Sequence, residues 1–113
     1  MKGPLTRELY DAILVDDDFL VRLVWTRAAA LKGKKFKAFS TPQELKESLS
    51  LLDLETPIYL DSNLGGGIRG EEIAKDLRQQ GFSKIYLETG YDASEFSSLK
   101  EFNGITGKDP PWL

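Results

Sequence analysis

At 113 residues the chain is near the usual size of one domain, long enough for a single hydrophobic core and too short for two comfortable ones. Apolar residues at 41% and charged residues at 29% exclude wholesale disorder and a fibrous or repeat architecture. The 15 basic and 18 acidic residues leave a net charge of −3, which argues against direct nucleic-acid or anionic-lipid binding; with no cysteine and no histidine, any chemistry must run on carboxylates, hydroxyls and lysine. No apolar run approaches the roughly 20 residues that span a bilayer, and the first residues lack the apolar core of a signal peptide, so the expected address is cytoplasmic.

In chain order, Asp11 to Val15 is a short apolar run ending in Asp16-Asp17-Asp18, the signature of a buried strand reaching the surface. From Phe19 to Leu31 the spacing of Leu20, Leu23, Val24, Ala28 and Leu31 predicts a helix, stopped by Gly33. Lys35 to Phe39 alternates as a half-exposed strand. Thr41-Pro-Gln-Glu44 then combines a capping box with proline at the first helical position, opening a second helix with Leu45, Leu49 and Leu52 buried. Ile58-Tyr-Leu-Asp61 and Ile85-Tyr-Leu-Glu88 are nearly identical apolar runs and read as two further strands. Between them lie a glycine-rich connector, Leu64 to Gly70, and a helix from about Glu71 to Gln80 with Ile73, Ala74 and Leu77 inward and Gly81 beyond its end. Asp92 to Phe102 is a weaker helix, and Gly104 to Gly107 a brief fifth strand running into Lys108-Asp-Pro-Pro-Trp112. The expectation is a single α/β domain over residues 1–113, a three-layer sandwich around a parallel sheet, with a fifth helix missing or strongly shortened.

Ligands of an open parallel sheet sit beyond the carboxyl ends of its strands. The residues there are Asp16, Asp17, Asp61, Thr89 and Lys108. Like charges so close resist joint ionisation, and a hard divalent cation would relieve the conflict. An aspartate supported by a cation and a lysine is a competent phosphoryl acceptor. Asp61 is the expected acceptor, Asp16 and Asp17 hold the cation, and Thr89 and Lys108 take phosphoryl oxygens. Alone, Asp16 to Asp18 read equally well as a helix cap, and Thr89 and Lys108 as an ordinary strand end and a surface lysine.

Together, Ile13-Leu-Val-Asp-Asp-Asp18, Tyr59-Leu-Asp61, Leu87-Glu-Thr-Gly90 and Thr106-Gly-Lys108 resemble the receiver domains of two-component response regulators and hybrid histidine kinases, over essentially the whole chain. The resemblance implies a flavodoxin-like sheet of order 2-1-3-4-5. It implies Mg²⁺ (or Mn²⁺) held by Asp16, Asp17, Asp61 and the backbone carbonyl of Asn63. It further implies phosphorylation of Asp61 by a histidine kinase or histidine phosphotransfer protein, autodephosphorylation rather than conventional enzyme turnover, and a downstream protein target. Four positions depart from the family. Ile105 replaces the usual aromatic switch residue, and Leu64-Gly-Gly-Gly67 replaces a proline-containing loop. Asp109 separates Lys108 from Pro110, and only five residues follow Lys108. These departures favour, as an alternative, a non-phosphorylated pseudo-receiver that acts as a protein-binding module. They also lead us to expect a homodimer through a non-standard interface or an unusual C-terminal arrangement, with apolar surface near Ile105 left uncovered; Trp112 could cover the sheet end or belong to a partner interface. A small aspartyl-phosphate phosphohydrolase is a third reading, but Asp61-Ser62-Asn63 lacks the second aspartate of such enzymes.

Overall fold

Three uninterrupted apolar runs form the middle of the sheet, where strands are covered on both faces and have no polar side to alternate with. The computed structural model describes residues 7–64, 67–90 and 102–112. Its strands are β1 (Ala12–Val15), β2 (Phe36–Phe39), β3 (Ile58–Asp61), β4 (Ile85–Glu88) and β5 (Gly104–Thr106), and its helices are α1 (Phe19–Leu31), α2 (Pro42–Ser48) and α3 (Gly70–Gln79). All neighbouring strands pair in parallel, in the order β2-β1-β3-β4-β5. This is the flavodoxin-like order expected from the sequence. The proposed helix from Asp92 lies, except for Phe102, outside the described residues.

Period-two alternation divides the sheet between two layers. Ile13, Val15, Phe39, Ile58, Leu60 and Ile85 meet Leu45, Leu49, Ile73, Ala74 and Leu77 in one core cluster, so α2 and α3 share a face. On the other face, Trp25 of α1 packs against Phe36 and Tyr59, with ring centroids 6.1 and 5.4 Å away, and Tyr59 stacks on Tyr86 at 4.9 Å. Local chemistry fixes the connections. Thr41 and Glu44 form the reciprocal capping box of α2 with Pro42 in its first turn. Asp18 caps α1 by accepting from the Leu20 N–H at 2.9 Å. After α3, Gly81 has φ of 102°, a left-handed conformation that releases the chain toward β4.

The apolar residues of helix α1 divide between two faces: Leu20 is 66% exposed, Val24 48% and Leu31 86%, while Trp25, Ala28 and Ala29 are buried. Two apolar faces compete on this helix, and the sheet takes the one carrying the large ring. The described residues at the two ends of the glycine-rich connector are tied to each other. Asn63 and Arg69 form an antiparallel bridge, the Leu64 N–H donates to the Ile68 carbonyl at 3.0 Å, and Leu64 is buried.

Candidate functional site

The parallel register brings the ends of β1, β3, β4 and β5 to one rim. Asp61 lies opposite Glu88, and Glu88 opposite Thr106. Asp16 follows β1 directly and is fully buried, its Oδ1 accepting from the Asp18 N–H at 2.8 Å and its backbone carbonyl from Arg22 Nη1 at 2.8 Å. The turn into α1 therefore holds this carboxylate in place. Asp17 is exposed at the cleft mouth. Asp61 and Ser62 are buried, and the Ser62 and Thr89 hydroxyls lie 3.3 Å apart.

Close backbone packing positions Asp61. The Gly70 N–H donates to the Ser62 carbonyl at 3.2 Å, and a Cβ at Gly70 would come within 2.4 Å of the Asp61 carbonyl oxygen. Only glycine lets α3 begin here without displacing the strand end.

Lys108 completes the cluster. Its Nζ donates to Asp16 Oδ2 at 2.9 Å, Asp61 Oδ1 at 3.1 Å and Glu88 Oε2 at 3.0 Å. Its backbone is tied as well, because Trp25 Nε1 donates to the Lys108 carbonyl at 2.8 Å. Trp112 packs edge-on against Trp25 and Phe36, both at 5.6 Å, so the residues after β5 fold back over the α1 face of the sheet. Ile105 is 38% exposed.

One ammonium cannot neutralise three carboxylates, and the ionisation of the acids shows it. Burial, and then repulsion from Asp16, push the Asp61 carboxyl above its ordinary value against the pull of Lys108. Glu88 goes further, to about 8, for the same two reasons in the same order. Lys108 is opposed by burial, but its bond to Asp16 and the charge of Glu88 outweigh this and raise it above its ordinary value.

All the residues singled out in the sequence thus border one cleft of about 420 Å³: Asp16, Asp17, Asp61, Asn63, Thr89 and Lys108 line it, with Asp18, Ser62 and Gly90. Two participants were not singled out. Glu88 was quoted within a motif but given no role, and Trp25 fell outside the predicted stripe of α1. Glu88 had a signal available: two nearly identical runs, Ile58-Tyr-Leu-Asp61 and Ile85-Tyr-Leu-Glu88, pair residue for residue, so their terminal acids must meet.

The donor set is entirely oxygen. Ligand oxygens of Asp16, Asp61 and Glu88 lie within 4.8 Å of one another, and Asp17 and Asn63 border the same cleft, a set suited to a hard divalent cation. No helix among the described residues is long and apolar enough to cross a membrane.

The sequence matches no protein-family model and no curated protein. Solved structures do match. The chemotaxis response regulator CheY4 of Vibrio cholerae superposes with a TM-score of 0.70 at 19% identity, covering 87% of this chain and 85% of that one. The receiver domain of the putative response regulator NarL from Mycobacterium tuberculosis gives 0.68 at 22%, covering 90% and 86%. The receiver domain of Saccharomyces cerevisiae Ssk1, crystallised with the histidine phosphotransfer protein Ypd1, gives 0.68 at 16%, covering 92% and 81%. The fold of this chain is that of response-regulator receiver domains.

Proposed function

We propose that this chain, as a single domain over residues 1–113, is a phosphoryl-accepting switch of two-component signalling, with Asp61 as the acceptor. The observation that carries this reading is the position of Asp61: buried at the end of β3, hydrogen-bonded to Lys108, and facing Asp16 across a cleft also lined by Asn63 and Thr89. In the transfer, an Asp61 oxygen forms a bond to the phosphorus of a phosphohistidine donor as the P–N bond breaks. The imidazole leaves with the electron pair and is protonated. Lys108 supplies positive charge to an equatorial oxygen, and the Thr89 hydroxyl a hydrogen bond. Asp16, Asp17, Asp61 and the Asn63 carbonyl would hold Mg²⁺ or Mn²⁺, which when bound neutralises charge on the phosphoryl oxygens.

The donor is a histidine kinase or a histidine phosphotransfer protein. Support comes from α1, which starts beside the acidic turn and presents Phe19, Leu20 and Val24 to solvent at 64, 66 and 48% exposure. Residues 19–39 also hold six of the lysines and arginines and none of the acids. An apolar, basic face beside the acceptor suits a protein donor of opposite charge. A second reading, a pseudo-receiver that binds proteins without being phosphorylated, is favoured by Ile105 and by the capture of Lys108 in its three-carboxylate cage.

Intact mass after incubation with acetyl phosphate, with and without Mg²⁺, separates the two. A Mg²⁺-dependent gain of one phosphoryl group that vanishes in Asp61→Asn is the expected result. A folded parent that gains nothing, or gains it equally in Asp61→Asn, would defeat the acceptor assignment.

A further inference from the structure

We propose that Glu88 is a positioning residue of this site: it holds the Lys108 ammonium in a three-carboxylate cage and so opposes the gain of negative charge at Asp61. The proposal rests on the acceptor reading given above and extends it to a residue that reading does not use.

An ammonium has three protons to donate, and here each has a carboxyl oxygen as acceptor. Two of those acceptors have other work. Asp16 also caps the turn into α1 and belongs to the cation set, and Asp61 receives the phosphoryl group. Glu88 has none. Its side chain is fully buried, Oε2 accepts only from Lys108, and Oε1 has no hydrogen-bond partner. A buried carboxylate satisfied on one oxygen alone is expensive for a fold to carry. Its consistent effect is on the neighbour it touches. Lys108 is held between Glu88 and the two aspartates, and its charge is divided among three acids.

Phosphorylation adds negative charge to Asp61, whose ligand oxygen lies within 4.8 Å of one on Glu88. Glu88 acts against the loaded state by competing for the Lys108 ammonium, which would otherwise be free to pair with the added phosphoryl oxygens. Exchanging it for a side chain that holds the ammonium less firmly relieves this competition and leaves the Asp61 acceptor, Asp16, Asp17 and Asn63 in place.

The test measures binding of beryllofluoride, a phosphoryl mimic, at saturating Mg²⁺, for the parent, Glu88→Gln and Glu88→Met. Glu88→Gln keeps the shape and one acceptor, and Glu88→Met keeps the approximate length without a carboxylate, so at least one variant should fold. Tryptophan emission follows the titration, since Trp25 bonds the Lys108 backbone. Affinity at least tenfold tighter in a folded variant is expected, and equal or weaker affinity overturns the proposal. A second readout needs no phosphoryl chemistry: the ammonium signal of Lys108 in a proton–nitrogen spectrum, assigned with Lys108→Arg. It should be protected from exchange in the parent and lost in Glu88→Met; persistence would overturn the positioning role. If the parent neither binds beryllofluoride nor labels on Asp61, the acceptor reading fails, and the ammonium signal still decides whether Glu88 positions Lys108.

Discussion

Replacing Gly70 with alanine tests how the acceptor is held, because the added methyl group would meet backbone rather than a yielding side chain. The new Cβ would lie 2.4 Å from the Asp61 carbonyl oxygen, 3.3 Å from its carbonyl carbon and 3.5 Å from Ser62 Cα. Overpacking of this kind costs about 1–3 kcal/mol. Alanine recovers up to about 1 kcal/mol through its better helix propensity at the start of α3. The net loss is then about 1–2 kcal/mol, which for a domain of this size lowers the melting temperature by roughly 5–10 °C. Gly107 is the control: a Cβ there meets nothing within 4 Å, so Gly107→Ala should stay within about 0.5 kcal/mol of the parent. Urea and thermal unfolding give the stabilities, and the rate of labelling by acetyl phosphate reports the displaced acceptor. A Gly70→Ala protein that melts with the parent and labels at the parental rate would refute the claim that α3 positions Asp61 by close backbone contact.

In metal-free buffer with EDTA, stability should depend on pH through Glu88. Its folded value of about 8 stands above its ordinary 4.5, so its contribution is full below 4.5 and is lost as pH rises through 8. The difference, 8 − 4.5, at about 1.4 kcal/mol per pH unit, sets an upper bound on the order of 5 kcal/mol. Asp61 shifts in the same direction, whereas Lys108 titrates above this window. Urea unfolding at pH 5 and pH 8 should show the parent losing stability relative to Glu88→Gln, and parallel curves would contradict the assignment. Paired Leu20→Asp and Val24→Asp changes on the exposed stripe of α1 should leave melting nearly unchanged. They should slow phosphotransfer from a phosphohistidine protein at least tenfold and spare labelling by acetyl phosphate. Equal loss with both donors would remove α1 from donor docking.

The sheet was legible because burial on both faces leaves a plain sign. Ala12–Val15, Ile58–Leu60 and Ile85–Leu87 are apolar without interruption, and each ends at a polar residue where the strand meets the rim. Helix α3 was equally clear, since Ile73, Ala74 and Leu77 form its only apolar stripe and all three are buried. Helix α1 was legible as a helix, but which of its faces the sheet covers was not. Periodicity detects that a stripe exists but not what covers it, and on α1 the Leu20, Val24 and Leu31 stripe lies about one residue step from the Trp25, Ala28 and Ala29 stripe. The cleft residues were found by their place after strands. Glu88 escaped because an acid ending a strand is ordinarily solvated, and only strand register reveals that this one faces Asp61. Trp112 stayed ambiguous because its partners, Trp25 and Phe36, are far away in sequence and become neighbours only when the chain after β5 returns across the sheet.

Lys108 is where these threads join. Its ammonium is bonded to carboxylates at the ends of β1, β3 and β4, while its carbonyl is bonded by Trp25, whose ring also meets Phe36, Tyr59 and Trp112. Such a residue cannot follow a new charge at Asp61 without breaking bonds on one side or carrying the aromatic cluster with it. In the family this chain resembles, an aromatic residue three positions before the lysine is the usual moving part; here that position is Ile105, which cannot offer a ring. Trp25 and Trp112 provide rings on the α1 face instead, coupled to the lysine through its backbone. A tryptophan emission change that accompanies loading of Asp61 and is lost in Lys108→Arg would place the moving part on this face. Emission that responds equally in Lys108→Arg would show that the aromatic cluster senses the cleft without the lysine.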